Sequence, residues 1–348
     1  TIETRVVAVA DGGEGTVDAL VAGMSGRYIE CTVRGPLDEP VAATYGISGD
    51  GRTAIMEMAQ ASGLTLLPAD RRNPLMTSTY GTGQMIADAL DRGCTTILMG
   101  IGGSATNDGG MGLLCALGVR FHDAKGIELK PCGASLEKIY SIDLRDMDQR
   151  ARDARFLIAC DVNNPLYGPD GAAYVFAPQK GADENTVRQL DKGLRNYARA
   201  IEKTIGRDVS AMPGAGAAGG LGACFAAFFN ATLERGSELM LNAIHFDEAI
   251  TGADMIITGE GRLDRQTVHG KTPYGVLQAG KRHNIPVVAI GGAVTACDEL
   301  TCAGFLAVLP VVPGPCTLAE AMNSETTRVN VARTAEQIVR LTDGLDKC

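Results

Sequence analysis

The sequence has no tryptophan, no excess of basic charge and no long apolar run. With 32 Lys and Arg against 41 Asp and Glu, its formal net charge is −9. That balance leaves no electrostatic footprint for nucleic acid and no polybasic segment for a membrane surface. Any anion site must therefore be local. No apolar stretch approaches membrane-spanning length, and the start, Thr1-Ile2-Glu3-Thr4-Arg5, lacks the regions of a signal peptide. The expected location is the cytoplasm. The ten cysteines contain no C-x-x-C pair and the four histidines are dispersed, which argues against a disulfide framework or a zinc site.

What is abundant is glycine, 44 in 348 residues, with 45% of the chain hydrophobic. This length predicts two domains, and the glycines suit an α/β enzyme with many tight strand-to-helix turns. Residues 5–9 read as a buried strand, followed by a helix over 17–24. Residues 30–34, 41–48 and 53–58 read as antiparallel strands separated by Gly35-Pro36 and Gly49-Asp50-Gly51. Helices are predicted over 84–91, 184–205 and 223–233, and a buried strand over 155–160. The last third alternates plainly: strands over 255–258, 286–290 and 306–312, helices over 273–283, 298–303 and 317–345. Such alternation implies a parallel sheet with right-handed crossovers.

The chain is organised around residues 95–118. A short apolar strand ends at Gly100, and a helix is predicted after Gly102-Gly103-Ser104-Ala105-Thr106-Asn107-Asp108-Gly109-Gly110. Small side chains let backbone N–H groups approach an anion, and a helix N-terminus adds its positive dipole end. Ser104, Thr106, Asn107 and Asp108 add groups able to hold a phosphate, a metal ion or a substrate hydroxyl. The stretch is neither a G-x-x-x-x-G-K-[ST] nor a G-x-G-x-x-G motif. Close packing of strand on helix remains the alternative reading.

Four further turns share this construction. Asp11 and Glu14 flank Gly12 and Gly13 after the first strand, and Asp161 follows the strand over 155–160. Gly214, Gly216, Gly219 and Gly220 precede an apolar helix, with a phosphate seat or close packing both open. After residue 258 come Glu260, Arg262, Asp264 and Lys271, candidates for metal, hydroxyl, carboxylate or phosphate contacts, with loop salt bridges as the alternative. Lys180 reads as a surface lysine, phosphate contact being the other option. Acidic, basic and backbone-donor groups at several strand ends suit phosphoryl transfer, where a protein mainly positions reactants and neutralises charge.

These runs, in this order, resemble the type I glycerate kinase family: residues 10–16, the GIGGSATNDGG run at 100–110, Ala159-Cys160-Asp161-Val162, Pro178-Gln179-Lys180-Gly181, residues 213–222, and 258–264 with His269-Gly270-Lys271. The resemblance spans nearly the whole chain. It implies ATP:glycerate phosphotransfer with Mg²⁺, and an α/β enzyme in which a Rossmann- or flavodoxin-like parallel-sheet domain is interrupted by a larger mixed α/β domain. Residues 1–26 plus 245–348 would form the first, and 27–244 the second. Family members begin with a further strand and helix, so the sequence is expected to be truncated at its start.

The implied roles follow. Asp161 or Asp108 would orient or deprotonate the attacking hydroxyl, while Arg262 and Lys271 meet carboxylate or phosphate charge. Gly102, Gly103, Ser104, Thr106, Asn107, Gly214, Gly216, Gly219 and Gly220 would hold ATP. Asp11, Gly12, Gly13, Glu14 and Asp264 would hold glycerate, and Glu260 and Asp161 the Mg²⁺. The bacterial members of the family suggest transfer to O2. Glycerate is the expected partner, a homo-oligomer is left open, and neither nucleic acid nor membrane is expected. A kinase for another small sugar acid, or a non-catalytic two-domain binding protein, stand as alternatives.

Overall fold

The computed structural model describes residues 2–10 and 15–345. Contacts divide the chain into two units, Thr1–Met240 and Leu241–Cys348. The first carries β1 (Arg27–Arg34), β2 (Pro40–Ile47), β3 (Thr53–Glu57), β4 (Thr96–Gly100), β5 (Arg120–His122), β6 (Ser141–Asp143), β7 (Arg155–Ala159) and β8 (Asn230–Glu234). Six of these form one mixed sheet in the order β1-β2-β3-β4-β7-β8, and β5 and β6 make a separate antiparallel ribbon. β1, β2 and β3 pair antiparallel, as the sequence predicts, and β3, β4, β7 and β8 run parallel.

β3 and β4 are almost continuously buried because helices cover both faces of a parallel sheet. Phe156 on β7 packs against Phe229 and Phe225 with ring centroids 4.7 and 5.6 Å away, locking the helix Ala217–Phe228 to the sheet.

Several expectations need correction. Residues 2–10 form no strand, and Val6 is 94% exposed. The helix Thr16–Gly23 packs on β2 and β3, burying Val17, Leu20 and Val21. These contacts lie within the first unit; the sequence reading grouped residues 1–26 with 245–348. The helix expected over 223–233 stops at Phe228, and the chain turns into β8, where parallel pairing with β7 overrides helix-compatible residues. The helix expected from residue 84 begins at Tyr80, because Gly81 and Gly83 let its first turn press on neighbouring backbone.

The second unit is parallel β/α: β9 (Ile256–Leu263), β10 (Val287–Val294) and β11 (Ala307–Pro310) in the order β11-β10-β9. β9 does not end at residue 258. It continues through Arg262 opposite Ala293 and Leu263 opposite Val294, so Glu260 and Arg262 stand on a strand rather than in a turn. The final helix is broken into Leu318–Ala321 and Ser324–Leu345. Among the described residues no helix is long and apolar enough to cross a membrane.

Candidate active site

In the first unit the carboxyl ends of the parallel strands are set by register: Glu57 opposite Gly100, Gly100 opposite Ala159, Ala159 opposite Glu234. The loops after β4 and β7 therefore leave adjacent strands side by side, at the edge where α/β sheets commonly bind ligands. Gly102 and Gly103 form the exposed tip of the first loop, and a Cβ added to Gly102 would meet nothing within 4 Å. Asp161, exposed on the second, accepts a 2.9 Å hydrogen bond from the Gly236 amide.

Beyond the tip the signature run turns inward. Thr106, Asn107 and Asp108 are fully buried and Ser104 nearly so. Asp108 accepts from the Thr79 amide and hydroxyl, both at 2.8 Å, and from the Gly110 and Gly112 amides, both at 3.1 Å. Burial raises its carboxyl above the usual range, although those donors pull the other way. Two consequences correct the sequence reading. The helix that follows, Met111–Ala116, is only six residues long, and Asp108 already occupies its N-terminal amides, so that end holds a carboxylate of the protein rather than a phosphate. Asp108 is also fully buried, with its carboxylate engaged by these four donors.

The glycine run over 214–220 is likewise turned inward. A Cβ on Gly216 would lie 2.2 Å from the Pro165 carbonyl oxygen, and one on Gly219 2.1 Å from that of Thr106; Gly219 also has φ +71°. The Gly109 amide donates to the Gly219 carbonyl at 3.0 Å. Gly214, Gly216, Gly219 and Gly220 are buried where backbone meets backbone, which favours the packing alternative.

Lys180 is the residue the sequence reading misplaced. It is 2% exposed, and its ammonium donates to Ser104 Oγ at 2.7 Å and to the Thr106 carbonyl at 2.6 Å. Burial pulls its pKa down to about 7, against the opposing pull of Asp108. The family run containing Lys180 was visible in sequence, but its burial was not, since a lone lysine between glycine and glutamine carries no periodic signal.

In the second unit β9 and the start of the helix Thr272–His283 gather four of the predicted residues. The Lys271 ammonium stands 3.7 Å from Glu260 Oε2 and 3.5 Å from Asp264 Oδ1. The Thr267 hydroxyl donates to Glu260 at 2.7 Å, and Arg262 lies 3.5 Å from Asp264. Desolvation pushes the Asp264 carboxyl up, but the Gln266 amide, Lys271 and Arg262 together hold it below the usual range. Arg262, Asp264, Arg265, Gln266 and Thr295 line an open depression of about 570 Å³. Among the described residues no three His, Cys, Asp or Glu side chains converge as a metal cage. Asp11, Gly12, Gly13 and Glu14 lie outside the described residues.

Exposed polar groups at the strand ends define an α/β protein suited to a small charged ligand. A sequence model of the glycerate kinase family matches residues 1–343. The chain is 50% identical over 335 residues to a glycerate kinase of Bacillus cereus, covering 94% of this chain and 87% of that one. It is 48% identical to the glycerate 2-kinase of Escherichia coli over 318 residues, 90% of this chain and 83% of that one. A crystal structure assigned as glycerate kinase 2 from Salmonella typhimurium LT2 superposes with a TM-score of 0.88 at 45% identity, covering 97% of this chain and 88% of that one. The chain belongs to the glycerate kinase family.

Proposed function

We propose that this chain transfers the γ-phosphoryl group of ATP to a hydroxyl of D-glycerate, giving phosphoglycerate and ADP. The observation that carries this reading is the exposed Gly102–Gly103 turn beside the exposed Asp161 carboxylate, at the ends of adjacent parallel strands, in a chain of this family. The name of the Escherichia coli relative favours O2 as the acceptor.

In the first unit Asp161, oriented by the Gly236 amide, accepts the proton of the attacking hydroxyl as the new P–O bond forms and the bond to ADP breaks. The Gly102 and Gly103 backbone, with no side chain in the way, receives an anionic group. In the second unit Lys271 and Arg262 offset carboxylate or phosphate charge, and Asp264 binds substrate hydroxyl. Mg²⁺ bound together with ATP would need only one or two carboxylates of the protein, not a three-ligand cage. Each unit has one candidate carboxylate for it, Asp161 in the first and Glu260 in the second, and the chemistry it would supply is neutralisation of phosphate charge.

The test is ADP release by the full-length protein with ATP and Mg²⁺ against a panel of D-glycerate, L-glycerate, lactate and tartronate. Turnover is expected with D-glycerate. Turnover confined to another acid makes the protein a kinase of that acid, and ligand-induced thermal stabilisation without ADP release makes it a binding protein.

A further inference from the structure

We infer that Lys180 is a positioning residue for phosphoryl transfer, its buried ammonium clamping Ser104 and Thr106 so that the exposed Gly102–Gly103 turn is held in one conformation. The inference rests on the proposed phosphotransfer reading for its chemistry, and on the following geometry for its mechanics.

One flank of the turn is tied down by backbone. The Leu64 amide donates to the Gly103 carbonyl at 2.8 Å, the Ala105 amide donates to the Ser62 carbonyl at 2.9 Å, and Gly63 and Ser104 form an isolated bridge. The inward flank has fewer ties. Thr77 Oγ1 donates to the Ala105 carbonyl at 3.0 Å, while Thr106 Oγ1 and both polar atoms of the Asn107 side chain are buried without hydrogen-bond partners. The two bonds from Lys180 are thus the main polar anchors on that side, one on either side of Ala105.

The lysine itself is rigidly delivered. It ends the 3-10 turn Pro178–Lys180, and Gly181 follows at φ +95°, where a Cβ would lie 2.4 Å from the Arg72 carbonyl oxygen. A buried ammonium bonded only to a hydroxyl and a carbonyl, with no carboxylate among those partners, costs far more to bury than a neutral side chain of the same size. A packing role alone gives no reason for the charge. A lysine bonded to Ser104 and Thr106, on the loop that the proposed reading gives to an anionic group, does give one, because an anion bound there would favour the charged form that burial otherwise opposes.

The test compares the wild-type protein with Lys180→Met, which keeps the length and removes the charge, and with Lys180→Ala with and without added ethylamine. Hydrogen exchange of the amides over 102–106 is read by mass spectrometry beside kcat and KM. Lys180→Met is expected to stay folded, to exchange these amides faster, and to lose kcat on the order of 100-fold with a smaller change in KM. Ethylamine is expected to restore part of the kcat of Lys180→Ala. Unchanged exchange in folded Lys180→Met, or a wild-type kcat in it, overturns the inference, as does a loss that merely follows the unfolded fraction. Should the wild-type protein fail to phosphorylate glycerate, the functional reading fails, while the exchange measurement still decides the clamp.

Discussion

Gly219 and Thr106 stand so close that a Cβ on the glycine would lie 2.1 Å from the threonine carbonyl oxygen. Both belong to runs whose composition suggests phosphate binding, yet here one run serves as the packing surface of the other. Gly102, by contrast, has open space around it.

Gly219→Ala therefore strains a positive-φ position and forces backbone apart. It is expected to cost more than about 3 kcal/mol of stability in urea unfolding. Gly102→Ala is expected to shift stability by less than about 0.5 kcal/mol while raising KM for ATP or glycerate. Equal stability losses in the two variants would contradict this division of roles.

Two aspartates separate in the same way. Asp108→Asn places an amide N–H₂ among four donors and is expected to cost about 1–3 kcal/mol of stability, leaving kcat per folded molecule near wild type. Asp161→Asn is expected to leave thermal unfolding unchanged and lower kcat about 100-fold or more. Steady-state kinetics at matched folded fractions check both, and the reverse pattern would move the proton acceptor to Asp108.

Lys180 makes stability depend on pH. Its folded pKa is lowered to about 7 from 10.5 by burial. Below about pH 7 both folded and unfolded chains carry the proton. Between the two values the unfolded chain holds a proton that the folded chain lacks, so stability rises with pH across that window. Urea unfolding at about pH 7 and about pH 9.5 should show wild type gaining stability relative to Lys180→Met as pH rises. A constant difference between them would mean that the lysine is not depressed.

In the second unit Lys271 faces Glu260 and Asp264 at 3.5–3.7 Å, part-exposed, so removing it should affect ligands more than folding. Lys271→Met is expected to raise KM for an anionic substrate about 10-fold with stability within about 0.5 kcal/mol of wild type. A large fall in melting temperature with unchanged KM would make the cluster a structural salt bridge.

Much of the fold was legible because it is written in periodicity. The buried runs of β3, β4 and β7 and the 22-residue helix Glu184–Ile205 follow the sequence reading closely. β8 was not legible, since Asn230-Ala231-Thr232-Leu233-Glu234 is ordinary helix-compatible sequence made a strand by its neighbour. The extension of β9 past residue 258 hid for the opposite reason, as Gly259, which looks like part of a turn, lets its strand approach Ile290 of β10. At the site, composition marked the right loops but could not tell which side faced out. Gly102 and Asp161 are exposed, while Asp108, Asn107 and the 214–220 glycines serve the interior. Lys180 needed tertiary structure, because burial of a single charged residue leaves no mark in its local sequence.

The most direct measurement is NMR of the product formed by the full-length protein from D-glycerate, ATP and Mg²⁺. The account predicts 2-phosphoglycerate and an equal amount of ADP, with formation strongly reduced by Asp161→Asn. A folded protein that binds ATP yet forms no phosphoglycerate would contradict it.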